Sequence, residues 1–162
     1  MEEFREAPKI PVVVVLDNIR SAYNVGAVFR TADAFRVEML YLCGRTCVPP
    51  HVEIYKTALG AEDSVEWKHY PDIVLCISEL KAKGYIPVGI EQTDSSIALQ
   101  EFRPEKGARY ALLLGNEVDG VTLEALNACD VVLEIPQEGT KHSLNISVAA
   151  GVVIWEFFRR FL

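Results

Sequence analysis

The chain has 162 residues, half of them hydrophobic and 24% charged, which sets aside intrinsic disorder and leaves room for one domain, residues 1–162, with a substantial core. A formal net charge of -7 argues against sequence-blind nucleic-acid binding, so any RNA contact has to be a focused patch. The charged start MEEFREAPK has no apolar core of a secretory signal, and the apolar-rich run over 146–155 is too short to span a membrane, so the chain reads as cytoplasmic with no membrane partner.

Residues 12–16, VVVVL, are β-branched and short, the pattern of a strand buried on both faces. A helix is expected over 24–35, with Asn24 as its N-cap and Val25, Val28, Phe29 and Ala32 on one face. A second strand covers 37–43, and the stretch 49–60 carries no clear pattern. Two readings compete for 71–84: a helix opened by Pro71 and stopped at Gly84, or a strand at 73–77 followed by a short helix. The β-α-β rhythm favours the strand. Further strands are expected at 85–91, 108–115 and 130–136, with a short helix or turn at 94–101 and a short helix over 121–129. A last helix begins at Asn145 and is apolar almost all round, so a second subunit is the easiest cover for its outer face.

Alternating strands and helices predict an α/β fold with a mostly parallel sheet between helices. Sites in such folds collect at the carboxyl ends of strands, here the loops 17–24, 43–50, 115–120 and 136–143. Cys43, Cys47 and His51 are spaced by fours, but a structural zinc uses tighter pairs, and no metal is expected. There is no GxGxxG, no phosphate-binding GxxxxGK[ST] and no GxSxG elbow. His142 has no nucleophile in a motif beside it and is not expected to be catalytic.

Three segments carry chemistry-bearing residues. In NVGAVFR, Arg30 and the nearby Arg20 offer guanidiniums suited to phosphate, and Gly26 permits close approach to the first helical turn. In LLLGNEVDG, a strand ends at Gly115 and Gly120 allows a left-handed turn. In IPQEGTKHSLN, Gly139 permits a tight loop, and Ser143 and Asn145 sit at a helix start. Each alone is compatible with an ordinary turn or cap.

Together, in this order and spacing, the three segments resemble the motifs of the SpoU-like (TrmH-like) branch of the SPOUT RNA 2'-O-ribose methyltransferases. The matching residues are Asn24, Gly26 and Arg30; then Gly115, Asn116 and Glu117; then Ile135, Pro136, Gly139, Ser143, Leu144 and Asn145. The resemblance runs from Val12 to Phe158. It implies a C-terminal deep trefoil knot, a homodimer packed through terminal helices, and S-adenosylmethionine as cofactor. It also implies transfer of a methyl group to a ribose 2'-hydroxyl of RNA, with tRNA favoured over rRNA for a chain with almost no RNA-binding extension.

By the same resemblance, Arg30 is the catalytic arginine, helped by Asn24, Glu117, Ser143 and Asn145. Leu114, Gly115, Asn116, Glu117, Ile135, Pro136, Gly139, Ser143 and Leu144 hold the cofactor, and Arg20, Arg30 and Lys141 meet RNA. Two positions depart from the family pattern: Val118 stands where a Gly is usual, and Gln137 where a Met often follows IP. The rival class is a non-catalytic RNA-binding or assembly protein on the same fold, which would be free to lose the polar motif residues kept here.

Overall fold

The computed structural model describes residues 2–141 and 143–162, so His142 lies outside the described residues. The chain runs α1 (Glu2–Glu6), β1 (Ile10–Asp17), α2 (Ala22–Ala34), β2 (Val37–Cys43), α3 (Val52–Ala58), α4 (Ala61–Ser64) and β3 (Trp67–Tyr70). It continues through α5 (Ile73–Ala82), β4 (Tyr85–Ile90), β5 (Ile97–Ala98), β6 (Arg109–Gly115), α6 (Leu123–Asn127), β7 (Val131–Glu134) and α7 (Ile146–Phe158). The strands form one sheet in the order β3-β2-β1-β6-β4-β7-β5, with every neighbouring pair parallel.

β1 lies inside the sheet, between β2 and β6, because both of its faces are apolar. Val12, Val14 and Leu16 join a core with α2 and α7, and Val13 and Val15 join a second core with α5 and α6. All five are fully buried, as a parallel strand covered by helices on both sides requires. The expected α/β sandwich is therefore observed. None of its described helices is long and apolar enough to cross a membrane.

Three local expectations are corrected. The segment after Pro71 is helix α5, not a strand. The Asp72 side chain caps it by accepting from Val74 N at 2.7 Å, and Ile73, Cys76, Ile77 and Leu80 repeat at helical spacing into the core. The β-α-β rhythm favoured a strand there, but the cap and the periodicity outweigh it. The strand of that unit lies earlier, at Trp67–Tyr70, preceded by helix α3 in the stretch that showed no pattern and by the short helix α4 just after it. Finally, α2 begins two residues before Asn24: Ser21 is its N-cap, its hydroxyl accepting from Asn24 N. This frees the Asn24 side chain for other work.

Asp17 ends β1 and is 4% exposed. Burial, and then the charge of Asp72, push its carboxyl up to about 6 from 3.8. The folded state thus holds this proton more tightly than the unfolded chain does. The stabilisation is fully present below about pH 4 and is lost as pH rises through about 6, at a cost on the order of 2–3 kcal/mol by pH 7. Asp17→Asn removes the charging step. Its thermal midpoint should exceed the wild type's at pH 7.5, with less change between pH 4 and 6.5. Identical pH profiles for the two proteins would refute the assignment.

Candidate functional site

The carboxyl ends of β4, β6 and β7 and the start of α7 enclose a cleft of about 430 Å³. Its most structured wall is the loop after β6. Asn116 Oδ1 accepts from Val118 N at 2.9 Å and Asp119 N at 2.8 Å, and Gly120 N donates to Asn116 O. Gly120 adopts φ +64°, as expected from the sequence. The two limbs of the loop touch: a Cβ on Gly115 would lie 2.0 Å from Gly120 O. Both glycines are needed for this cradle, one for conformation and one for space. Asn116 is chiefly a loop-former, since its side-chain carbonyl is occupied by two amides.

The three sequence segments meet through one run of side chains. Asn24 Nδ2 donates to Glu117 Oε1 at 2.9 Å, and Asn145 Nδ2 donates to Asn24 Oδ1 at 3.4 Å, across 93 and 121 residues of chain respectively. Asn145 also caps α7, its Oδ1 accepting from Ser147 N, Val148 N and Ser147 Oγ. That cap fixes which end of the Asn145 amide faces Asn24, and hence which end of Asn24 faces Glu117. The amides act as a one-way adaptor between a helix N-terminus and a carboxylate.

Of the residues expected to hold a cofactor, Leu114, Gly115, Asn116, Glu117, Ile135, Ser143 and Leu144 line the cleft. Pro136 and Gly139 are exposed and are not part of its lining. Gly139 has no left-handed φ, and a Cβ there would meet open space, so its loop does not depend on glycine. Gln137 lines the cleft and Val118 forms part of its mouth. The floor is apolar, from Ile90, Leu114, Ile135, Leu144 and Ile146, while the ionisable described residues of the lining are Glu91, Glu117, Asp119 and Glu134, all acids. Such a cleft suits a ligand with an apolar body and a positive charge, and repels phosphate. Thr93, also in the lining, has a buried hydroxyl with no hydrogen-bond partner among the described residues.

The expected RNA-contacting side chains lie outside the cleft. Arg20, Arg30 and Lys141 are exposed, and none lines it. Arg30 is six residues beyond Asn24 on α2 and makes no hydrogen bond or ion pair with another described residue, so within one chain Asn24 and Glu117 do not orient it. Gly26 serves packing, not ligand approach. A Cβ there would lie 2.0 Å from Thr57 Oγ1 and 2.4 Å from Ile54 O, which shows how closely α3 is drawn onto α2.

No group of three potential metal ligands occurs among the described residues, and the Cys43, Cys47 and His51 side chains serve other ends. Cys43 is buried in the core, Cys47 Sγ donates to Arg20 O, and His51 Nδ1 caps α3. Sequence reasoning missed the acidic lining at Glu91 and Glu134. Their places, at or next to the carboxyl ends of β4 and β7, are the signal that could have found them.

Residues 11–155 match the SpoU rRNA Methylase family. The chain is 32% identical over 151 residues to the 23S rRNA (guanosine-2'-O-)-methyltransferase RlmB of Nitrosomonas europaea, covering 92% of this chain and 56% of that protein. It is also 32% identical over 155 residues to the tRNA (guanosine(18)-2'-O)-methyltransferase TARBP1 of Mus musculus, covering 92% of this chain but 9% of that one. The chain thus spans about half of one relative and a small part of the other. Among solved structures, an AdoMet-bound rRNA methyltransferase from Sinorhizobium meliloti superposes with a TM-score of 0.88 at 27% identity, over 98% of this chain and 60% of that one. The A. aeolicus TrmH/SpoU tRNA modifying enzyme gives 0.85 at 27% identity, over 98% and 79%.

Proposed function

Because the chain belongs to the SpoU rRNA Methylase family, we propose that it is an S-adenosylmethionine-dependent RNA methyltransferase that modifies a ribose 2'-hydroxyl. The observation that carries this reading is the Asn145–Asn24–Glu117 run, which gathers residues from all three motif segments at the lip of one cleft. The residues present fit the cofactor. The cleft has the size of a small-molecule site, its floor is apolar enough for an adenine, its rim is anionic, and the Thr93 hydroxyl wants a partner. Leu114, Gly115, Ile135 and Leu144 would hold the adenosine part.

When bound, S-adenosylmethionine supplies an electrophilic methyl group on a cationic sulfur. The chain's own residues then position the acceptor. Glu117, held through one oxygen by Asn24, offers its other oxygen to the acceptor hydroxyl, and Ser143 stands at the same mouth. Arg30 is a poor base because a guanidinium does not give up its proton near neutral pH. Its exposed side chain suits an RNA phosphate and the negative charge that grows on the acceptor oxygen.

In this reading tRNA is favoured over rRNA, and Arg20 and Lys141 add phosphate contacts that the acidic cleft cannot. Two copies pair through α7, covering Val148, Val152 and Trp155, which are 52%, 38% and 46% exposed in the single chain. The deep trefoil knot in the C-terminal part, one catalytic domain over residues 1–162 and a cytoplasmic location belong to the same reading.

Calorimetric titration tests the cofactor assignment. The protein should bind S-adenosylmethionine at about one site per chain, and the ligand should raise the thermal midpoint by mass action. No heat and no thermal shift from well-folded protein would contradict it.

A further inference from the structure

Glu91 belongs to none of the three motif segments, yet it touches the loop that carries two of their residues. It follows β4 directly, and its backbone N–H donates to Leu133 O at 3.0 Å, which anchors it to β7. From there its carboxylate reaches across to the far limb of the loop after β6. Oε2 accepts from Val121 N at 3.1 Å, and Oε1 accepts from Gln92 N at 3.1 Å. The contact with the loop is close: a Cβ on Gly120 would lie 2.2 Å from Oε2. Gly115, Gly120 and Glu91 therefore form a stack of strand end, loop limb and carboxylate with no room for another side chain. Glu91 is half-buried and lines the cleft.

We propose that Glu91 is a positioning residue for the cofactor cleft: by pinning the closing limb of the loop at Gly120–Val121, it sets the cleft's width. This rests on the reading of the cleft as the S-adenosylmethionine site. The role belongs to the carboxylate as a hydrogen-bond acceptor, not to its negative charge. A free Val121 N–H would leave the loop held, among the described residues, by its internal bonds from Val118, Asp119 and Gly120 to Asn116, with no tie to β4.

The test compares wild type, Glu91→Ala and Glu91→Gln, with S-adenosylmethionine as the titrant and methyl transfer to RNA as the second readout. Loss of one such bond should weaken cofactor affinity about tenfold in Glu91→Ala. Turnover at saturating cofactor should stay within about threefold, so the effect appears in KM and not in kcat. Glu91→Gln keeps one acceptor oxygen for Val121 N, without the charge and at the loss of the local bond from Gln92 N, and should bind within about twofold of wild type. Equal affinity for wild type and Glu91→Ala would overturn the proposal. So would a loss in Glu91→Gln as large as that in Glu91→Ala, because charge would then be what matters; a large loss in Glu91→Gln also decides the question if Glu91→Ala does not fold. Wild type that fails to bind S-adenosylmethionine overturns the underlying reading instead, and the proposal with it.

Discussion

Asn24→Asp is expected to lower methyl transfer by about 10- to 100-fold at pH 8, and to regain part of the loss as the pH falls toward 6. The wild-type amide donates to Glu117 and accepts from Asn145, and the capping role of Asn145 leaves it no alternative orientation. Aspartate puts an acceptor where Glu117 needs a donor. A hydrogen bond to a charged group contributes about 1.5–3 kcal/mol, which sets the size of the loss. Two carboxylates this close cannot both ionise, so one of them takes up a proton at a raised pKa. Below that pKa the shared proton rebuilds the bond, and this gives the expected recovery its sign. Asn24→Ala is the control, because it loses the donor and has no proton to recover. Single-turnover rates from pH 6 to 8.5 decide the matter. If Asn24→Asp tracks Asn24→Ala at every pH, or works as well as wild type, the adaptor role of Asn24 is wrong.

The central sheet was legible in the sequence because its inner strands are short, largely buried apolar runs: β-branched at 12–16, and carried by Leu, Tyr and Ala or Met at 37–43 and 108–115. The segment 73–77 misled because the β-α-β rhythm asked for a strand before the next helix end; the Asp72 cap and the i, i+3, i+4, i+7 burial of α5 decide for a helix. β3 and β5 are short and half-exposed strands at the sheet's edges, so they have little apolar signal to read.

At the site, Leu114, Gly115, Glu117 and Ser143 were found through ordered motifs, because a ligand cradle needs particular backbone and polar groups at fixed places. Asn24 was found but misassigned as a helix cap; Ser21, three residues earlier, is an equally good capping residue and takes the role. The place of Glu91 after β4 could have been read, but its contact could not, because its partner is the backbone of Val121, 30 residues away, and nothing in the local sequence announces it. The role of Gly26 was likewise set by α3, a helix that the sequence pattern did not reveal.

Arg30→Ala is expected to cost about 10²–10³ in the rate of methyl transfer, the usual loss when one donor to a developing oxyanion is removed. Arg30 is exposed and unpaired among the described residues, so its removal should leave the thermal midpoint nearly unchanged. It does not line the cleft, so S-adenosylmethionine affinity should also stay the same. Arg30→Lys keeps the charge but loses the planar fork, and should be nearly as slow. Arg20→Ala should instead weaken RNA binding and flatten its salt dependence, with less effect at saturating RNA. The most direct measurement is a single turnover of wild type and Arg30→Ala on tRNA with labelled S-adenosylmethionine, followed by digestion of the RNA to nucleosides. The account predicts label in a 2'-O-methyl nucleoside with wild type, and the same nucleoside formed at least about a hundredfold more slowly with Arg30→Ala. Label on a base, no transfer to tRNA or rRNA by wild type, or an Arg30→Ala rate near that of wild type would contradict it.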